Sequence, residues 1–289
     1  MTAVIMSGVP VRDAVLEDVR GRVKVLTDAA RPPHLATLLV GDNPDSASYI
    51  RMKRQLCADL GITSTHEQLP QDATQADVEA VIRRFNDDDA IDAVLFQYPP
   101  PPQIDYWQAL LLLDPDKDVD GLHPVNLGRL ALGLAGPVSC TPAGIEALLA
   151  YYEVPVAGRS VVIMGRGITL GRPLSLLLSQ KRPTANAAVT VVHTGVSDWA
   201  EYTRRADIVV SAVGVPGIIQ PEHIRPGAVV VGAGAQYKGR KVLPDVDEAC
   251  QEVAGWITPR VGGVGPTTLA MLMRNCVEAA ESPLLVERP

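Results

Sequence analysis

Two hydrophobic periods alternate along this chain, one of strands and one of helices. His34-Leu-Ala-Thr-Leu-Leu-Val40 is a continuous apolar run closed by Gly41-Asp-Asn-Pro44, the pattern of a strand buried on both faces and ended by a loop. Before it, Val11 to Leu26 spaces its apolar residues as an amphipathic helix. After it, a helix capped by Asp45 or Ser46 is predicted through Leu60, where Gly61 is placed to stop it. Thr63 to Leu69 predicts a second strand, Gln75 to Asn86 a helix, and Ala93 to Gln97 a third strand. These βαβ units imply a parallel sheet covered on both faces. Prolines 99–102, following Tyr98, lack a backbone donor and fix φ, so this segment reads as a stiff extended loop.

A second α/β block follows Thr141-Pro-Ala-Gly144. A helix through Tyr152 leads to a strand at Ser160 to Met164 and then to Gly165-Arg-Gly-Ile-Thr-Leu-Gly171. Further strands are predicted at Ala188 to His193, Ile208 to Val213 and Ala228 to Val231. A last helix, near Thr267 to Ala280, follows Gly262-Gly-Val-Gly-Pro266.

With 289 residues, 47% apolar and 20% charged, the chain has the material for about two packed domains. Its net charge of -7 argues against nucleic acid as a partner, because phosphate binding needs a basic face. The longest purely aliphatic stretch, Ala109 to Leu113, is too short to span a bilayer, and Met-Thr-Ala-Val-Ile-Met lacks the features of a secretory leader. A cytoplasmic protein with no membrane partner is the expectation. Cys57, Cys140, Cys250 and Cys276 show no Cys-x-x-Cys spacing, so neither a disulfide framework nor a zinc site is expected.

Ser46, Tyr49 and Lys53 form a Ser-x-x-Tyr-x-x-x-Lys array on the helix after the first long strand, near the carboxyl edge where α/β sheets bind ligands. Tyr49 and Lys53 share one face, so a phenol and an amine can reach one bound molecule; a solvated i,i+4 pair fits the same spacing. Short-chain dehydrogenases carry a Tyr-x-x-x-Lys after their glycine loop, whereas here the pair precedes it by more than a hundred residues. Asp116, Asp118, Asp120 and Gly121 mimic the start of a calcium loop, but Leu127 stands where the bidentate carboxylate belongs, so no metal is expected. The segment reads either as a solvated acidic turn or as a ligand site in which the acceptor-only carboxylate of Asp120 grips a donor-rich heterocycle.

Gly165, Gly167 and Gly171 follow Val161-Val-Ile-Met164 and precede Arg172-Pro173 at a helix start. In that context the loop can cradle a phosphate on backbone N–H groups, or serve as a plain tight turn. A ribose-binding acid is missing after the next strand, where His193 and Thr194 stand instead. With Arg166 nearby, a 2′-phosphate would meet a cation, which favours NADP over NAD. No catalytic role is read for His193, which is equally a plain strand-end residue.

Taken in order, Tyr49-Ile-Arg-Met-Lys53, Phe96-Gln97, Lys117-Asp-Val-Asp-Gly-Leu-His-Pro124, Asn126-Leu-Gly128, Cys140-Thr-Pro142, Gly165-Arg-Gly167, Gly171-Arg-Pro173 and Gly262-Gly-Val-Gly-Pro266 carry a resemblance over nearly the whole chain. They resemble the bifunctional methylenetetrahydrofolate dehydrogenase/methenyltetrahydrofolate cyclohydrolase family. The resemblance implies a two-domain α/β fold: an N-terminal three-layer αβα domain with a parallel sheet, over 1–142 and completed by the C-terminal helix 267–289. A Rossmann-like NADP-binding domain, 143–266, would face it across a cleft. It implies NADP-dependent oxidation of 5,10-methylenetetrahydrofolate and hydrolysis to 10-formyltetrahydrofolate, in one-carbon metabolism and purine biosynthesis, by a homodimer.

By the same resemblance Lys53 is the acid/base group, Tyr49 stacks on the folate, Gln97 tunes Lys53 and Asp120 binds the pterin. A free amine, with a pKa of about 10.4, is protonated at neutral pH, so burial or a nearby cation must lower it before it can accept a proton. Ser46, Gly262, Gly263, Pro266 and Thr267 would line the folate site, and Gly165, Arg166, Gly167, Gly171, His193 and Thr194 the NADP site. Five positions depart from the family pattern. Gly167 replaces a frequent serine, Gly232 an aspartate, Val261 a proline, and Tyr98 with Pro100 replaces leucines. Those at Gly167 and Gly232 leave room for a paralogue with weak dehydrogenase activity, or for a non-catalytic folate- or nucleotide-binding regulator.

Overall fold

Strands and helices alternate through most of the chain in a computed structural model that describes residues 3–238 and 241–286. The chain divides into two compact units. One takes Met1–Asp13, Leu130–Gly133 and Ser139–Met271, the other Ala14–Arg129, Leu134–Val138 and Leu272–Pro289. In order, the elements up to residue 132 are β1 (Val4–Ile5), α1 (Gly8–Asp28), β2 (His34–Val40), α2 (Pro44–Leu60), β3 (Thr63–Leu69), α3 (Gln75–Asp87), β4 (Ala93–Phe96), α4 (Tyr106–Leu110) and α5 (Pro124–Leu132). The remainder are α6 (Cys140–Tyr151), β5 (Ser160–Met164), α7 (Gly171–Ser179), β6 (Ala188–Val192), α8 (Trp199–Arg205), β7 (Ile208–Ser211), β8 (Val229–Gly232), β9 (Ala235–Lys238), β10 (Lys241–Pro244), β11 (Trp256–Ile257) and α9 (Val264–Val286). Among the described residues no helix is long and apolar enough to cross a membrane.

The unit centred on residues 14–129 holds a parallel sheet in the order β3-β2-β4. Ala36, Leu38 and Val40 point to one face, where they join Val94 and Phe96 under α3 and α4. Leu35 and Leu39, of opposite parity, are equally buried, and Ile50, Cys57 and Leu60 of α2 stand outside that cluster, so α2 covers the second face. This accounts for the unbroken apolar run of β2. Helix α3 starts in a capping box: the Thr74 hydroxyl accepts from Asp77 N–H while the Asp77 carboxylate accepts from Thr74 N–H. Thr74→Ala is expected to cost about 1 kcal/mol, read as a lower urea midpoint at unchanged slope.

The other unit carries six parallel strands in the order β1-β11-β8-β7-β5-β6. Val161, Ile163, Ile208 and Val210 pack to one side with α6 and α7 residues. Val162, Met164, Val209 and Val230 pack to the other with Ile219, Ile224 and Cys250. From β5 the chain steps outward to β6 and then returns across to β7, so the winding reverses between β5 and β7. That switch point opens a crevice at the carboxyl ends of the two strands.

Four expectations change. Residues 1–13 group with the six-stranded unit because Val4–Ile5 pairs with Trp256–Ile257, a strand too short to register as a periodic run. The division between units also falls after Met271, inside α9. That helix begins at Val264, through Gly265-Pro266, because a proline in the first turn has no required N–H to lose. The cap of α2 is neither Asp45 nor Ser46: Asn43 Oδ1 accepts the Ser46 N–H at 3.1 Å, ahead of Pro44 in the first turn.

Candidate functional site

Helix α2 leaves the carboxyl end of β2 through Gly41, whose φ of +83° suits glycine, and it ends at Gly61, φ +80°. Tyr49 and Lys53 therefore sit in the first turns of a helix that starts at the sheet edge. Tyr49 is 47% exposed and Ser46 is buried. Lys53 Nζ donates to Gln97 Oε1 at 2.9 Å. Gln97 extends β4, its N–H donating to Leu38 O at 2.9 Å. Its amide NH₂ donates to Tyr98 O at 2.8 Å, which turns the oxygen toward the amine. At this contact the acceptor offered to Lys53 is a neutral amide.

Asp120 arrives at the same edge by a separate route. Residues 117–119 run parallel to β4, bridging Asp118 to Val94, with Val94 N–H donating to Lys117 O at 2.7 Å. The chain then turns at Gly121, φ +65°. Of the acidic run, Asp116 is exposed and ion-paired to Arg129 at 2.6 Å, whereas Asp118 is 1% exposed. The solvated-turn reading thus holds for one of these acids and fails for the other. The loop after β4 carries a cis bond at Tyr98-Pro99 and packs through aromatic contacts of Tyr106 with Phe96, Tyr98 and Trp107. Burial, with the charges of Asp120 and Asp118, raises the Tyr106 phenol far above its ordinary range and keeps it neutral.

In the six-stranded unit, the glycine loop sits at the switch point. Gly165 has φ +109°, and a Cβ there would lie 2.7 Å from Ala212 O at the end of β7. A Cβ on Gly171 would overlap the Gly165 carbonyl oxygen. Both glycines are thus required for the turn that aims the N-terminus of α7 into the crevice, where backbone N–H groups favour an anion. Gly167 is different. A Cβ there meets nothing within 4 Å, so packing does not exclude the serine of the family pattern. At Gly232 a Cβ would lie 3.2 Å from Val246 Cγ2, so an aspartate there would need Val246 to give way by a few tenths of an ångström.

Arg166 Nη1 lies 3.3 Å from His193 Nε2, while His193 Nδ1 accepts the Gly195 N–H at 3.1 Å. That second bond places the proton of a neutral ring on Nε2, so two donors converge. An acceptor-only group such as a phosphate oxygen satisfies both, and on this observation the residues fit a dinucleotide phosphate. Thr194 is exposed beside them. Sequence reasoning missed Asp245, a buried carboxylate whose Oδ2 accepts from Ser211 Oγ at 2.8 Å, Val213 N–H at 2.9 Å and Gly214 N–H at 3.2 Å. It holds the loop after β7 that Gly165 packs against. No motif announced it, because its partners, one hydroxyl and two backbone N–H groups, are distant in sequence.

The turn Gly262-Gly-Val-Gly-Pro266 falls in the six-stranded unit, with Gly262 at φ +77°. Gly263 is buried, and Gly262 and Pro266 are half-buried. Thr267 is fully buried and donates its hydroxyl to Val264 O at 2.7 Å, so its side chain braces the helix start and offers nothing outward.

Residues 6–120 match the family model described as tetrahydrofolate dehydrogenase/cyclohydrolase, catalytic domain, and residues 139–284 match the NAD(P)-binding domain of the same name. The chain is 62% identical over 275 residues to bifunctional protein FolD 1 of Salinispora tropica, covering 95% of this chain and 90% of that one. It is 59% identical over 281 residues to bifunctional protein FolD of Syntrophotalea carbinolica, covering 97% of each. Of solved structures, the bifunctional dehydrogenase/cyclohydrolase of Campylobacter jejuni superimposes with a TM-score of 0.93 at 35% identity, over 97% of this chain and 99% of that one. The Trypanosoma brucei dehydrogenase-cyclohydrolase, solved with NADP and an inhibitor, gives 0.92 at 34% identity, over 98% and 99%.

Proposed function

The chain belongs to the tetrahydrofolate dehydrogenase/cyclohydrolase family, and from that premise we propose how its residues divide the work. The enzyme oxidises 5,10-methylenetetrahydrofolate with NADP to the 5,10-methenyl cation and hydrolyses that cation to 10-formyltetrahydrofolate. NADP, when bound, supplies the hydride acceptor. No side chain has to give or take the hydride, so the protein contributes positioning to the first step.

Hydrolysis does need a proton carrier. Water adds to the methenyl carbon and loses a proton; then, as a carbon–nitrogen bond breaks, the departing nitrogen gains a proton and the adduct's hydroxyl loses its own to become the formyl carbonyl, a net release of one proton. Lys53 is assigned that traffic, and the carrying observation is its hydrogen bond to Gln97, 2.9 Å long. A carboxylate in place of Gln97 would hold Lys53 charged by ion pairing; a neutral amide orients the amine without doing so. Tyr49, exposed one turn before Lys53, is assigned to the face of the folate. Asp120, as an acceptor, is assigned to the donor edge of the pterin. Ser46 is assigned to the folate site, and Gly262, Gly263 and Pro266 are assigned to folate contact on the family resemblance alone, with Thr267 as the brace of their turn. The test supplies 5,10-methylenetetrahydrofolate with NADP or NAD, following reduced nicotinamide and, by chromatography, both folate products. Absence of 10-formyl product from supplied methenyl cation would overturn the assignment of hydrolysis.

On the cofactor side Gly165, Gly167 and Gly171 would hold the diphosphate, and Arg166, His193 and Thr194 the 2′-phosphate. Arg166→Ala is expected to raise the KM for NADP about 10- to 100-fold, the worth of a charged hydrogen bond, and to leave that for NAD unchanged. Initial rates with each cofactor check this; equal effects on both would remove Arg166 from the 2′-phosphate. A homodimeric state and a cytoplasmic location complete the proposal on the family resemblance. Light scattering after size exclusion tests the first.

A further inference from the structure

The segment that carries Asp120 is fastened with unusual thoroughness on its approach. Lys117 Nζ donates to Phe85 O at 3.1 Å, Asn86 O at 2.8 Å and Asp88 O at 2.9 Å, capping the end of α3. Val119 N–H donates to Val94 O at 3.3 Å, and Val119 O accepts from Asn275 Nδ2 at 2.9 Å. Beyond Val119 the chain leaves the sheet, and the next ties converge on one buried carboxylate. Asp118 Oδ2 accepts from His123 N–H at 2.8 Å and from Asn126 Nδ2 at 3.0 Å, while the Gly121 N–H, which donates to the Asp118 main-chain oxygen at 3.3 Å, also stands near this carboxylate.

Asn126 is in turn oriented by donating to Pro115 O at 2.7 Å and accepting from Arg129 Nη1 at 3.0 Å. Asp120 thus lies between Asp118 and the residues after it, His123 and Asn126, that this side chain holds. Burying a carboxylate is unfavourable unless donors surround it, and an apolar residue would fill the place without that penalty. Burial first, then the charge of Asp120, pushes the Asp118 carboxyl up to about 6, against the donors that hold it down.

We infer that Asp118 is a positioning residue for the folate: by gathering the N–H groups of the 121–126 turn it fixes the direction in which Asp120 is presented. The inference rests on the assignment of Asp120 to the pterin. Asp118→Asn keeps one acceptor oxygen for His123 and Asn126 but turns an amide donor toward Gly121, so the turn loosens without losing a side chain. With folding verified by circular dichroism, Asp118→Asn is expected to raise the KM for 5,10-methylenetetrahydrofolate about tenfold, with that for NADP held within about twofold. Asp118→Asn added to Asp120→Asn is expected to raise it no further, since the first acts through the second. A merely structural role would lower the active fraction, hence both activities, without moving one KM.

If Asp118→Asn fails to fold, Asn126→Ala removes one donor from the opposite side and is expected to raise the same KM. An unchanged folate KM in the Asp118 or Asn126 variant beside a raised one in Asp120→Asn would overturn the positioning role alone, as would additive effects. An unchanged KM in Asp120→Asn would overturn the assignment of Asp120 itself and the inference with it.

Discussion

Lys53→Ala is expected to slow hydrolysis of supplied 5,10-methenyltetrahydrofolate by about 10²- to 10⁴-fold, the range of a single general acid/base, while oxidation of the methylene substrate continues. That corresponds to about 3–5 kcal/mol of lost barrier reduction. Alanine alone would not separate proton transfer from charge, because removing the amine also removes a cation and the partner of Gln97. Lys53→Arg makes the separation: a guanidinium can donate to Gln97 as the amine does at 2.9 Å, but it does not give up its proton at any working pH. Arginine should therefore leave hydrolysis as impaired as alanine does. With either variant, NADP-dependent turnover should accumulate the methenyl cation, seen by its absorbance, in place of the 10-formyl product. Hydrolysis by Lys53→Arg at the unmodified rate would end the assignment of Lys53 as a proton carrier and leave it only an electrostatic role.

How much of this was legible beforehand depended on whether the determining contacts were local. Strands β2 and β5 occupy the residues their composition predicts, because a strand buried on both faces must be apolar throughout, whereas β3, a polar edge strand, is marked by its breakers Gly61 and Pro70. The two-residue strands β1 and β11 offer no period to read, and their pairing brings Val4 beside Trp256 from the far end of the chain. Helices α4 and α5 were missed for a related reason, being short and flanked by prolines and acidic turns. Tyr49, Lys53 and the glycine loop were legible as spacing and context, while Gln97 became a partner only when β4 placed it across from α2. Asp118 and Asp245 show the limit most clearly. An aspartate reads the same in sequence whether solvated or buried, and only the fold reveals which donors surround it.

Gly171→Ala should be as damaging on the cofactor side as Lys53→Ala is on the hydrolytic side. A Cβ at 171 would overlap the Gly165 carbonyl oxygen and lie 2.8 Å from Gly165 C and 3.1 Å from Arg166 Cα. All three are backbone atoms, so no change of rotamer relieves the clash. Nor can the loop withdraw easily, since Gly165 is in the left-handed region and abuts Ala212 O, in the segment whose neighbouring N–H groups are held by Asp245. The strain must open the turn at the start of α7, scattering the N–H groups aimed at the diphosphate; about 1–3 kcal/mol of stability is expected to go with it. NADP affinity by calorimetry should fall by about 100-fold or more, the loss of two or more good phosphate hydrogen bonds. Hydrolysis of supplied methenyl cation, assigned to Lys53 and Gln97 in the other unit, should persist. Gly167→Ser is the matched control, since a Cβ at 167 meets nothing within 4 Å. It should leave NADP binding intact, and its added hydroxyl can only supply a further phosphate donor. Undiminished NADP affinity in Gly171→Ala, with the protein folded, would mean that the diphosphate is not held by this loop, and the cofactor assignments of Gly165, Gly167 and Gly171 would fall together.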